Sequence, residues 1–123
     1  MKKINLSEVK SSAELLMILT RHPKLVLEID LGRLTDYHFL MLVTVKPRLL
    51  SQYQVVSERA MKLTDIRQIG EVISIFPKMF MRYYYNVLQD KPVDELLILL
   101  QYLKRSSHIA KLSSLIANKK ENK

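Results

Sequence analysis

One pattern restricts what this chain can become more than any other. An apolar run halts at a proline, a basic residue follows at once, and a fresh apolar run begins. The first copy is Leu15-Leu16-Met17-Ile18-Leu19-Thr20-Arg21-His22-Pro23-Lys24-Leu25, and the second is Phe39-Leu40-Met41-Leu42-Val43-Thr44-Val45-Lys46-Pro47-Arg48-Leu49. Val72-Ile73-Ser74-Ile75-Phe76-Pro77-Lys78-Met79 is a third, and Leu99-Leu100-Gln101-Tyr102-Leu103-Lys104-Arg105 a fourth without its proline. Proline lacks an amide hydrogen and drives the residue before it out of helical geometry, so each copy ends a helix. Its fixed φ suits the first position of the next one. Each box therefore reads as helix, turn, helix.

The rest of the chain supplies matching starts. Arg33-Leu34-Thr35-Asp36 returns as Lys62-Leu63-Thr64-Asp65, each time just before an apolar helix and ending in residues that cap free amides. Ile4-Asn5-Leu6 and Ile29-Asp30-Leu31 read as connectors between units. The expected helices are 12–21, a short segment from 23 to about 29, 36–46, 47–58, 65–76, 77–88, 93–105 and 107–117. Gly70, inside the 65–76 helix, costs about 1 kcal/mol against alanine, so another backbone is expected to pass close by. With only two glycines and four prolines in 123 residues, a turn-rich β architecture is disfavoured.

The prolines Pro23, Pro47 and Pro77 are 24 and then 30 residues apart, the spacing of a degenerate helix-turn-helix repeat. The fold class is all-α: seven to eight short helices in a small solenoid-like stack or an irregular bundle. Length suggests one domain, over 1–118, with a lysine-rich flexible tail at 119–123.

The residue inventory excludes much chemistry. There is no cysteine, hence no disulfide and no thiolate nucleophile or metal site. His22, His38 and His108 are scattered, no metal-ligand spacing occurs, and two glycines cannot build a phosphate-binding loop. Ser7-Glu8-Val9-Lys10 formally matches a nucleophile motif but lacks its companion motifs. No enzyme activity, cofactor or metal is expected. No apolar run long enough to span a membrane and no signal-peptide core is legible, which sets the expectation at a cytoplasmic protein without membrane partners.

The formal charge is +8. Half of it lies near the ends, and residues 11–118 hold 14 basic and 10 acidic side chains, a net of +4. Asp36, Asp65, Asp94 and Glu95 in first turns, with Arg21, Lys46, Lys104 and Arg105 in last turns, are where the helix dipole favours them. Lys24, Arg48 and Lys78 follow the prolines, where helix electrostatics gives no reason for a cation.

Two candidate surfaces follow. The three post-proline cations form a possible basic edge for a phosphate backbone. The stretch 76–85 holds five of the nine aromatic residues. There Met79, Phe80, Tyr83, Tyr84, Val87 and Leu88 share a core face, while Met81 and Tyr85 lie opposite, beside Lys78 and Arg82. The reading is a non-enzymatic binding protein (adaptor, regulator or inhibitor) with a protein partner, acidic by charge, contacted through Lys24, Arg48, Lys78, Met81, Arg82 and Tyr85. Nucleic-acid binding along the basic edge is the alternative, and self-association the third.

Overall fold

The residue in front of each box proline adopts one conformation. His22 (φ −132°, ψ 73°), Lys46 (φ −130°, ψ 73°) and Phe76 (φ −142°, ψ 81°) agree to within 12° in φ and 8° in ψ. Each still donates its amide to the carbonyl four residues back: His22 to Ile18 at 2.9 Å, Lys46 to Leu42 at 3.0 Å, Phe76 to Val72 at 2.8 Å. Each carbonyl then accepts from the amide three residues on, from Leu25, Leu49 and Met79, at 3.0–3.1 Å. The last α-helical bond and the first 3₁₀-type bond thus meet on one residue, and proline steric exclusion fixes where.

In this computed structural model residues 12–121 are described. The elements are α1 (Ser12–Arg21), α2 (Asp36–Val45), α3 (Leu49–Gln52), α4 (Gln54–Ala60), α5 (Ile66–Ile75), α6 (Phe80–Asn86), α7 (Val93–Leu100) and α8 (Ser106–Glu121). Short 3₁₀ segments at Pro23–Glu28, Leu31–Arg33, Pro77–Met79 and Leu88–Asp90 join them. No β-strand occurs among the described residues, so the all-α class and the number of helices agree with expectation. The connector Ile4-Asn5-Leu6 and the Ser7–Lys10 motif lie outside the described residues.

The chain packs as two compact units, one ending at Lys62 and the other beginning at Leu63. In the first, α1 packs on the Pro23–Glu28 segment and on α2, and α3 and α4 on each other. Leu19, Val26, Phe39, Leu42, Val43 and Val56 are fully or almost fully buried. Thr35 caps α2 by accepting from the His38 amide at 3.2 Å. In the second unit α5 packs on α7 and α7 on α8, around Ile69, Val72, Phe80, Tyr83, Leu96, Leu99 and Leu112. Asp65 caps α5 through its Oδ1, which accepts from the amides of Arg67 (2.8 Å) and Gln68 (3.3 Å).

Four expected boundaries are corrected. The helix expected over 47–58 breaks at Tyr53 (φ −128°, ψ 117°) into α3 and α4. That break turns Arg59 inward. The 77–88 helix becomes a 3₁₀ turn, α6 and a second 3₁₀ turn. α7 stops at Leu100 rather than near 105, and α8 runs to Glu121 instead of ending near 117, placing Lys119 and Lys120 in its last turn. A fifth correction concerns Gly70. What approaches it is a ring, not a backbone: a Cβ there would lie 2.5 Å from Tyr102 Cγ.

Candidate partner-binding surface

Once Pro77 has ended α5 and the 3₁₀ turn has redirected the chain, α6 presents two faces. Phe80 and Tyr83 point inward and are fully buried, as the sequence pattern predicts for Met79, Phe80, Tyr83 and Leu88. Tyr84 and Val87, expected in the core, are half-buried. The other face carries Met81, Arg82 and Tyr85, the first two lying four and three residues before the third on one helical stripe, and Lys78 precedes them in the 3₁₀ turn. Lys78 and Arg82 are exposed and Met81 is half-buried. Tyr85 is 64% exposed, as open as Tyr37 at 65%, but unlike Tyr37 it stands beside a methionine and two cations, the residue mix of contact surfaces.

α8 closes the edge of this stripe. His108 is buried and stacks on Phe80, with ring centroids 4.3 Å apart and planes 18° from parallel. Burial, and then the positive charge of Arg105, hold its pKa below the ordinary histidine value. One turn further on, the Lys111 ammonium lies 4.9 Å from the Tyr84 ring centre and 5.7 Å from that of Tyr85. The two rings meet edge to face, at 5.2 Å and 90°, the arrangement their quadrupoles favour. Tyr85 is therefore exposed and also propped, with Tyr84 and Lys111 behind it.

The post-proline cations are placed differently. Lys24 and Arg48 are both exposed and belong to the first unit, whereas Lys78 belongs to the second. Of the six residues singled out from the sequence, Met81, Arg82 and Tyr85 lie on α6, Lys78 lies in the 3₁₀ turn that leads into it, and Lys24 and Arg48 lie in the first unit.

Sequence reasoning missed two side chains and underrated a third. Arg59 is buried beside Leu31, Leu34 and Asp36. Its Nε donates to the Leu31 carbonyl at 2.9 Å, and its Nη2 donates to the Leu34 carbonyl at 2.7 Å and to Asp36 Oδ1 at 2.6 Å. The guanidinium also lies 5.0 Å over the Phe39 ring centre. One signal pointed there: Arg59 lies three residues beyond Val56, on the extension of the inward face. Lys111 gave none, because its partners are rings on another helix. His108, passed over as one of three scattered histidines, proves to be the buried one.

Among the described residues no group of three or more His, Asp or Glu side chains is placed to hold a metal ion, and no described helix is long and apolar enough to cross a membrane. What this arrangement offers chemically is contact: an aromatic ring, a thioether and cations on one rigid face. Comparison of the chain with protein families, curated proteins and solved structures gives no match, so the functional reading stands on the geometry of this face.

Proposed function

We propose that this is a non-enzymatic binding protein, an adaptor, regulator or inhibitor, that covers a surface of a protein partner with a stripe made of Met81, Arg82 and Tyr85 of α6 and Lys78 of the turn before it. The observation that carries this reading is Tyr85. Its ring is largely open to solvent while Phe80, five residues earlier on the same helix, is fully buried. Tyrosine, methionine and arginine are enriched at protein interfaces, and tyrosine brings a large contact area at little ordering cost. The test is paired capture from the native host after nuclease treatment, with the unaltered chain and Tyr85→Ser or Met81→Ser as bait. Proteins held by the first and lost with the variants support the reading, provided the variants melt within a few degrees of the parent. Identical captures overturn it.

The nucleic-acid alternative rests on the exposure of Lys24 and Arg48 at equivalent places after two prolines of the first unit and, separately, of Lys78 in the second. It requires binding that weakens steeply with salt, with a log–log slope that falls by roughly one for each of these lysines or arginines changed to glutamine. Titrations with single- and double-stranded oligonucleotides that show no salt-sensitive binding rule it out.

A further inference from the structure

The charge around the α6 stripe has one sign. No aspartate or glutamate occurs between Glu71 and Asp90, or between Glu95 and Glu121. The 3₁₀ turn at Pro77–Met79, α6, and α8 as far as Lys120 therefore carry no carboxylate. They do carry Lys78, Arg82 and Lys111, with Arg105 just ahead of α8. His108 and Lys111, three residues apart on α8, meet Phe80, Tyr84 and Tyr85, and the charge of Arg105 reaches His108. Two segments free of carboxylates that meet beside an exposed ring suit an anionic ligand with an apolar part.

Two other ligand classes fit less well. A pair of tyrosines around an ammonium suits a quaternary ammonium ligand. Here Lys111 already fills that place, and the neighbouring cations repel another. A single-stranded nucleic acid needs successive exposed rings on which to stack bases. Tyr85 is 64% exposed, but Tyr84 is half-buried, Tyr83 and Phe80 fully buried, so the stripe offers one stacking ring.

From this charge complementarity we infer that the partner is an acidic polypeptide segment. It sets an apolar side chain against Met81 and Tyr85 and pairs flanking carboxylates with Lys78 and Arg82, while Lys111 holds the rings in place. The inference rests on the proposed protein-binding role of the same stripe and adds the chemistry of the partner. Charge-assisted hydrogen bonds from arginine to carboxylate supply the selectivity, and the ring and thioether supply the desolvated anchor.

The experiment is a nuclear magnetic resonance titration of the ¹⁵N-labelled full chain with three probes: a synthetic peptide repeating Glu and Leu at helical spacing, the same peptide with Gln for every Glu, and oligodeoxythymidine. The Glu peptide should move the amide signals of 78–85 and 105–111. Its affinity should exceed that of the Gln peptide by on the order of tenfold, and Arg82→Gln or Lys78→Gln, both at exposed positions, should each remove much of that advantage. If the Gln peptide binds the same residues equally well, the acidic class falls while the protein-binding stripe survives. If oligodeoxythymidine binds there more tightly than the Glu peptide, the partner class is nucleic acid and both readings fall. A Glu peptide that leaves these signals unmoved, or moves others, overturns the inference.

Discussion

Arg59 shows how much one side chain can hold together. It satisfies two backbone carbonyls of the Leu31–Leu34 turn and the carboxylate that opens α2, so α4, the turn and α2 share one guanidinium. Arg59→Met keeps the stem but leaves the Leu34 carbonyl and Asp36 without this donor, while the Leu31 carbonyl keeps the Leu34 amide at 3.2 Å. Unsatisfied buried groups of this kind cost roughly 1–3 kcal/mol each, and Asp36, being only partly covered, loses less. A total loss of about 1–3 kcal/mol is expected in urea melts. Arg59→Lys should recover only part of it, because an ammonium cannot fork to several acceptors. A loss below half a kcal/mol contradicts this account.

His108 gives the second prediction at this scale. Its folded-state pKa lies below the unfolded value near 6.5, so the unfolded chain binds the proton more readily. The stability tied to the neutral ring is complete above pH 6.5 and is lost as pH falls from there through the lowered folded value. Melting temperatures should therefore decline on acidification below 6.5. His108→Phe, which preserves the stack on Phe80, should flatten that decline; an unchanged pH profile shows that another group is responsible.

At the scale of elements, the proline boxes explain what could be read in advance. The ends of α1, α2 and α5 fall where Pro23, Pro47 and Pro77 require, and the starts of α2 and α5 follow Thr35 and Asp65, because these constraints act within a few residues. The break at Tyr53 has no such local marker. It is set by distant partners, since α4 turns so that Val56, Arg59 and Ala60 face inward, and tertiary packing outweighs the propensity of a continuous helix. The same division holds for the binding stripe. Helical spacing placed Met81 and Tyr85 opposite the core face, whereas Lys111 belongs to another helix and only the folded chain brings it to the rings.

The α5–α7 packing carries a prediction of its own. Gly70→Ala gains about 1 kcal/mol of helix propensity, yet its Cβ would meet the root of the Tyr102 ring, which has little room to yield. Overpacking of this kind costs roughly 1–3 kcal/mol, so the variant should melt below the parent. Adding Tyr102→Ala should turn the alanine from harmful to neutral or favourable. Additive losses in the double variant exclude the ring as the cause.

For the whole molecule, the net charge of +8 opposes self-association while salt is low and eases it as salt screens the repulsion. Light scattering in dilute buffer should give the monomer mass of 14.4 kDa; twice that mass at low salt shows that apolar contact between copies outweighs the repulsion.

The chain has six tyrosines and no tryptophan, so its near-ultraviolet light absorption belongs almost wholly to tyrosine. Two of the six, Tyr84 and Tyr85, stand at right angles within 5.2 Å, close enough for their transition dipoles to couple. That coupling makes the pair a built-in optical probe. A partner that tilts either ring will change the circular dichroism near 280 nm, a wavelength set by the phenol chromophore, with no label attached to the protein.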